Sequence, residues 1–195
     1  MQKRNYNQEM EQIMAAIPAG QRLLLHSCCG PCSAAVIERL GAWFAVEVYF
    51  YNPNIQDQAE YQRRLEAQRV VVACVDTSYP VTLVETPYDP APFAHIAAGL
   101  EGASEEGGLR CTACFELRLV ATARLAKERG ISHFTTTLTV SPRKNAVRLN
   151  EIGEACGVEY LPADFKKRGG YQRSVELAQA WGLYRQNYCG CLYSK

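Results

Sequence analysis

Seven of the nine cysteines in this chain fall into three short groups. Thiols at such spacings ligate soft metals or carry electrons. Cys28, Cys29 and Cys32 form CCxxC, Cys111 and Cys114 form CxxC, and Cys189 and Cys191 form CxC. A CxxC at a helix start turns both sulfurs toward the end where amide dipoles stabilise thiolates. In an extended CxC the two side chains share a face, because a strand alternates with period two. Adjacent residues diverge for the same reason. Cys28 and Cys29 are therefore expected to face different metals, or one a metal and the other a substrate. Cys32 lies about one helical turn from Cys29 and is divided between a ligand and a supporting role. Four thiolates suit zinc or an iron–sulfur cluster, and seven exceed what one four-coordinate site uses. Spacing alone leaves both metals open. Asp164 is a candidate to complete a second site and His26 a weaker one. Cys74, in an apolar run, and Cys156, on a helix, read instead as buried small hydrophobes. His95 and His133 have no partner at ligand spacing.

An odd number of cysteines cannot pair completely within one chain. The polar start, MQKRNYNQEMEQIMAA, reads as an amphipathic helix rather than a signal peptide, which points to a cytoplasmic setting and metal-binding or catalytic thiols. Apolar runs such as RVVVACV are too short to cross a bilayer, so no membrane partner is expected. A net charge of +1 excludes a generally basic coat, and contact with nucleic acid requires a local patch. One such patch lies between Phe165 and Asn187, where Lys166, Lys167, Arg168, Arg173 and Arg185 face the single acid Glu176. Tyr171, Trp181, Tyr184 and Tyr188 are interleaved with them. Cations for phosphates and rings for an extruded base make an RNA surface, although a solvated helix face has the same composition. Arg143, Lys144 and Arg148 extend the patch. No GxxxxGK[ST] or GxGxxG element is present.

The elements that must position these groups alternate in type. Strands are expected at Arg22–His26, Val46–Tyr51, Val81–Glu85, His133–Leu138 and Glu159–Leu161. Helices are expected from Pro31 to Leu40, Gln58 to Ala73, Thr112 to Arg129, Asn145 to Cys156 and Arg173 to Trp181. A Pro-rich stretch and a Glu/Gly-rich loop at 101–108 precede the third helix. This order predicts an α/β fold with a mostly parallel sheet covered by helices on both faces. The chain reads as a single domain over 1–195, with a basic and aromatic segment at about 165–195 completing the metal site. Ligands in such folds gather beyond the carboxyl ends of the strands. His26–Ser33, Tyr51–Ile55 and Thr139–Lys144 are all expected there, and HSCCGPCS takes the place of a phosphate loop.

The segments LLLHSCCGPCS, YFYNPNI with EYQRR, CTACFELRL, FTTTLTVSPRKN, DFKKRGGY and GLYRQNYCGCLYS resemble the QueH family of epoxyqueuosine reductases. The resemblance covers roughly residues 21–195. It implies a nucleotide-binding, HUP/PP-loop-like α/β architecture and cobalamin-independent reduction of epoxyqueuosine to queuosine at the wobble position of tRNA. It also implies a [4Fe–4S] cluster with an adjacent second iron, the anticodon arm of tRNA as partner, and a separate electron donor. By matching motif, the metal ligands are Cys28, Cys29, Cys111, Cys114, Cys189 and Cys191, with Cys32 less certain. Cys29, Cys111, Cys114 and one CGC cysteine are assigned to the cluster. Cys28, the other CGC cysteine and Asp164 are assigned to the second iron, which makes Cys28 and Asp164 the catalytic pair. Tyr51, Asn52 and Asn54 are expected to line the base pocket, with Lys166, Lys167, Arg168 and Arg185 on the phosphates. The competing reading is an RNA-binding protein with structural zinc and no redox activity.

Overall fold

A computed structural model describes residues 4–102 and 108–194; most of the Glu/Gly-rich loop at 101–108 therefore lies outside the described residues. Helix α1 (Tyr6–Ala16) leads into strand β1 (Arg22–His26), helix α2 (Gly30–Leu40) and strand β2 (Ala45–Phe50). Helix α3 (Gln58–Cys74), strand β3 (Val81–Glu85) and helices α4 (Ala91–Ala97) and α5 (Leu109–Glu128) follow. Strand β4 (His133–Thr136), helix α6 (Ala146–Glu154), strand β5 (Glu159–Tyr160) and helix α7 (Gly170–Ala180) complete the regular elements. The five strands pair in the order β3-β2-β1-β4-β5, and every pairing is parallel.

Strand β1 shows why both faces are covered. Leu23 and Leu25 pack into one cluster with Ile37 of α2, Val71 of α3, Leu177 of α7 and Met10 of α1. Leu24, between them, points into the other cluster with Leu119 of α5 and Leu149 and Ile152 of α6. A central strand flanked on both faces becomes an apolar run rather than an alternating one, which is the pattern RLLLH carries. The order of strands reverses on either side of β1, so the crevice beyond β1 and β4 is the switch point where ligands collect.

Three local expectations are corrected. The Pro-rich stretch contains α4, because Pro92 sits in the first turn, where a missing N–H leaves no helical bond unmade. Strand β4 stops at Thr136, whose Oγ1 accepts from Leu138 N at 3.2 Å and turns the chain into a 3₁₀ helix over Thr137–Val140. Cys74 is exposed rather than buried. The inward stripe of α3 runs through Arg64, Gln68 and Val71 toward Val75, and Cys74 falls beside it at the helix end.

Gly30 has a packing role. A Cβ there would stand 2.5 Å from the backbone oxygen of Ala67 on α3. The close crossing of α2 and α3 thus requires glycine in the CCGPC segment. Gly30→Ala is expected to destabilise the fold by roughly 1–3 kcal/mol, the usual range for overpacking, read as a lower urea midpoint at unchanged slope.

Candidate metal centre

The turn from β1 into α2 gathers the first thiol group. Cys29 is the residue before the first turn of α2, and its extended backbone (φ −175°, ψ 161°) brings its side chain beside that of Cys28. Cys32 returns one helical turn later. The three sulfurs lie within 4.8 Å of one another, and those of Cys28 and Cys29 are 3.9 Å apart. The expected divergence of Cys28 and Cys29 does not occur, because the strand ends at His26 and the chain bends at Cys28. Among the described residues, this is the one group of metal-ligating side chains so tightly gathered.

Hydrogen bonds fix the triad. Cys28 N donates to Thr137 Oγ1 at 3.2 Å, and that hydroxyl donates to Cys28 Sγ at 3.5 Å. Gln186 Nε2, close to the C-terminal CGC, donates to Cys29 Sγ at 3.0 Å. Thiol hydrogen bonds from Cys29 and Cys32, aided by the charges of Lys144 and Arg118, hold Cys28 well below the ordinary thiol range. The same sharing drives Cys29 and Cys32 up, with burial adding to it. One thiolate is thus stable in the bare triad. Ionising the others needs a cation, which a metal supplies.

The other two groups meet in part, through Cys114 and Cys191. Cys111 and Cys114 occupy the first turns of α5, and Cys114 packs with Phe93, Ala97 and Cys191. Burial pushes Cys114 up to about 12. Cys189 lines a cleft of about 390 Å³ together with Cys28 and Cys32. The two CGC thiols do not share a face: Gly190 has φ 111°, so the segment turns, sending Cys189 to the cleft and Cys191 to the Phe93 cluster.

Arg64, Arg118, Arg143, Lys144 and Arg185 line this cleft, and among the described residues no Asp or Glu does. Arg118 is 1% exposed. Its Nη2 donates to Asn52 Oδ1 at 2.5 Å and its Nε to His26 Nε2 at 3.2 Å. His26 is held down to about 3 by burial and by Arg118, so it is a neutral ring. Nε2 of the ring is 3.2 Å both from Arg118 Nε and from Tyr51 O, and Nδ1 is 2.8 Å from Thr136 Oγ1. Of the thiols near Arg118, Cys28 is the one held in its anionic form, and the guanidinium contributes to that. Lys144 repeats the pattern: burial disfavours its charge, but Cys189, Cys28 and Cys32 outweigh that and raise it. Soft donors facing Arg118 and Lys144 fit an anionic metal–thiolate centre, while Arg64, also in the lining, is paired with Glu60 at 2.7 Å.

The other predicted residues are distributed unevenly. Tyr51 stacks on Tyr49, with centroids 5.6 Å apart. Asn52 and Asn54 are buried, Asn52 donating to Ser27 O at 2.9 Å and Asn54 to Cys189 O at 3.2 Å. Asp164 is paired with Lys166 at 2.6 Å and does not line the cleft. Lys167 is exposed, and Arg168 pairs with Glu11 at 2.7 Å. Arg185 is in the cleft wall, donating to the Tyr171 hydroxyl at 3.0 Å. Sequence reasoning missed Arg118, Arg64 and Gln186. Their signals were present, since Arg118 follows Cys114 by one helical turn and Arg64 follows Glu60 likewise.

In metal-stripped, reduced protein near neutral pH, Cys28 is expected to alkylate with iodoacetamide on the order of 10-fold faster than Cys29 or Cys32. Peptide mass spectrometry at short times measures the order of modification, and faster labelling of Cys29 would contradict the charge distribution.

The sequence profile described as epoxyqueuosine reductase QueH matches residues 23–195. Among similar curated proteins, one named epoxyqueuosine reductase QueH from Staphylococcus epidermidis is 42% identical, covering 99% of this chain and 85% of its own length. A protein of the same name from Streptococcus pyogenes is 39% identical, covering 99% and 79%. Another, from Thermotoga maritima, is 36% identical, covering 88% and 89%.

Proposed function

The chain belongs to the QueH family of epoxyqueuosine reductases, a family of oxidoreductases, and from that premise we propose that it reduces epoxyqueuosine to queuosine in tRNA at an iron–sulfur and iron centre. The observation that carries this reading is the thiol triad of Cys28, Cys29 and Cys32, of which Cys28 and Cys32 line a cleft whose charged lining, among the described residues, is wholly cationic. The net reaction takes up two electrons and two protons, breaks both C–O bonds of the epoxide, and yields an alkene and water.

Cys28, Cys29 and Cys32 provide three thiolates of one centre, and Cys111, Cys114, Cys189 and Cys191 supply the remaining sulfur donors. A [4Fe–4S] cluster with a second iron, when bound there, delivers electrons singly and offers a Lewis acid for the epoxide oxygen. The protein's own groups do the rest. Arg118, locked by Asn52 and His26, holds a fixed positive charge beside the thiolates. Lys144, in the cleft wall, stabilises negative charge on the departing oxygen and holds a proton for it. Tyr171 and Tyr188, both lining the cleft, flank the extruded base, while Arg143 and Arg185 meet the phosphates next to it. Tyr51, Asn52 and Asn54 support the pocket from beneath. Lys166, Lys167 and Arg168 extend the phosphate contact along the anticodon arm. The electron donor is a separate partner. No helix among the described residues is long and apolar enough to cross a membrane.

The test is anaerobic purification with iron, zinc and acid-labile sulfide measured together, followed by incubation with epoxyqueuosine-containing tRNA and a low-potential reductant. About four sulfides with more than four irons per chain, and queuosine in the digested tRNA, are expected. Cys28→Ser is expected to lower turnover by at least ~100-fold, in line with loss of a metal ligand. Zinc without sulfide, even after reconstitution, would replace this reading by the structural-zinc one. Asp164→Asn addresses the second iron: retention of the full iron complement would remove Asp164 from its ligand set.

A further inference from the structure

We propose that Arg64 is the positioning residue that delivers Cys189 to the thiol site, through a buried clasp with Glu60 that holds the segment after α7. The proposal rests on the reading of Cys189 as a metal ligand. From Gly182 to Cys191 this segment contains neither strand nor helix; backbone bonds hold it at Leu183 and, at 3.4 Å, at Gly190, and side-chain contacts hold the stretch between. Arg64 is 2% exposed. Its Nη1 donates to Cys189 O at 3.0 Å and its Nη2 to Tyr188 O at 3.3 Å, with the guanidinium 5.1 Å from the Tyr188 ring centre. Its remaining edge is fixed by Glu60, with Nε 2.7 Å from Oε1. The second Glu60 oxygen accepts from the Tyr184 hydroxyl at 2.8 Å and pairs with Arg63 at 3.0 Å. One buried pair thus grips the segment at Tyr184, Tyr188 and Cys189.

The glycine of CGC belongs to this device. A Cβ at Gly190 would stand 2.9 Å from Ile55 Cγ1 and 3.2 Å from Arg64 Nη1, and its φ of 111° disfavours a side chain. Gly190 lets the guanidinium reach the backbone and lets the chain turn so that its two thiols part. A buried Arg–Glu pair is a weak source of stability compared with apolar packing. Here Glu60 occupies one edge of the guanidinium while both terminal nitrogens donate to carbonyls of a segment more than 120 residues away, which is orientation. Docking of the segment and metal binding at Cys189 then form one linked equilibrium: each strengthens the other by the same factor.

The experiment compares holoprotein with Arg64→Met, Arg64→Lys, Glu60→Gln with Arg64→Met, Cys189→Ser, and Arg64→Met combined with Cys189→Ser. Two quantities are read: hydrogen exchange over residues 183–192, and the rate of metal loss to a chelator. Arg64→Met is expected to speed metal loss by about 10-fold or more, the range for residues that orient a ligand. It is expected to raise exchange in 183–192 while β1 and β2 stay protected. Arg64→Lys, which keeps one donor, restores part of both. In the Cys189→Ser background the Arg64 substitution adds little to metal loss, because its route is already cut. The pair replacement leaves no buried unpaired Glu60 charge, and must show the same selective pattern. Wild-type retention and exchange in both Arg64→Met forms would overturn the proposal. So would an undiminished effect in the Cys189→Ser background, or exchange rising equally across the sheet. A wild type that holds zinc without sulfide overturns the cluster reading alone, since both readouts follow whichever metal the protein carries.

Discussion

Positive charge buried without a carboxylate is the constraint around which this molecule is arranged. Arg118 is almost wholly enclosed, and its partners are a neutral imidazole, an amide oxygen and thiols. Lys144 stands against the same sulfurs. An unpaired guanidinium in a protein interior costs several kcal/mol, on the order of the whole stability of a domain, unless an anion meets it. Thiolates are the anions within reach, and they ionise together when a metal joins them. Charge balance thus ties the fold around the cleft to the chemistry within it. The cations help to hold Cys28 as a thiolate, and that charge makes the cations tolerable.

The parallel sheet makes this balance geometrically possible. Residues 28–32, 111–114 and 189–191 are far apart in sequence, and none could find the others along the chain. With β1 in the middle, its exit loop opens at the switch point next to the turn after β4, whose Thr137 binds Cys28. Helix α5 packs across the opposite face from α2, so Arg118 reaches the same crevice from the other side of β1. The C-terminal segment is held by α3 and the turn before it, through Arg64, Asn54 and Gln56. Two glycines set the tolerances of this assembly. Gly30 lets α2 approach α3, and Gly190 lets the guanidinium approach the chain.

Much of this was legible in the sequence, for reasons that differ by element. Strands β1 and β3 were readable to the residue, because apolar runs bounded by turn residues carry a period of two or an unbroken core signature. The parallel, doubly covered sheet followed from their alternation with helices. Helix α4 was not legible, since prolines in a first turn look like prolines in a loop. Spacing named the thiol groups but not the gathering of Cys28, Cys29 and Cys32 within 4.8 Å. The divergence expected of Cys28 and Cys29 assumed that the strand continued, and the shared face expected of Cys189 and Cys191 assumed that Gly190 was extended. Both failures arise where the backbone turns, which spacing rules do not see. Exposed basic residues such as Arg168 drew attention by their density, whereas Arg118 lay hidden in a helix as one charge among many. A buried charge is conspicuous in space and ordinary in sequence.

The arrangement also bears on the choice between a structural and a reactive metal. Structural zinc sites are closed, with four ligands wrapped round the ion and no approach from solvent. Here Cys28, Cys32 and Cys189 border a cleft large enough for a small molecule, and its walls carry arginine and lysine but no acid among the described residues. A site built for stability has no use for an open side, and none for cations that must be neutralised before the protein can be comfortable. A site that accepts electrons and sheds an oxygen uses both features. An open side gives reacting atoms a way in, and cations favour whichever state of such a site carries more negative charge. Burial and the crowding of sulfurs make the empty thiols difficult to ionise together, and Lys144 and Arg118 act against both at Cys28.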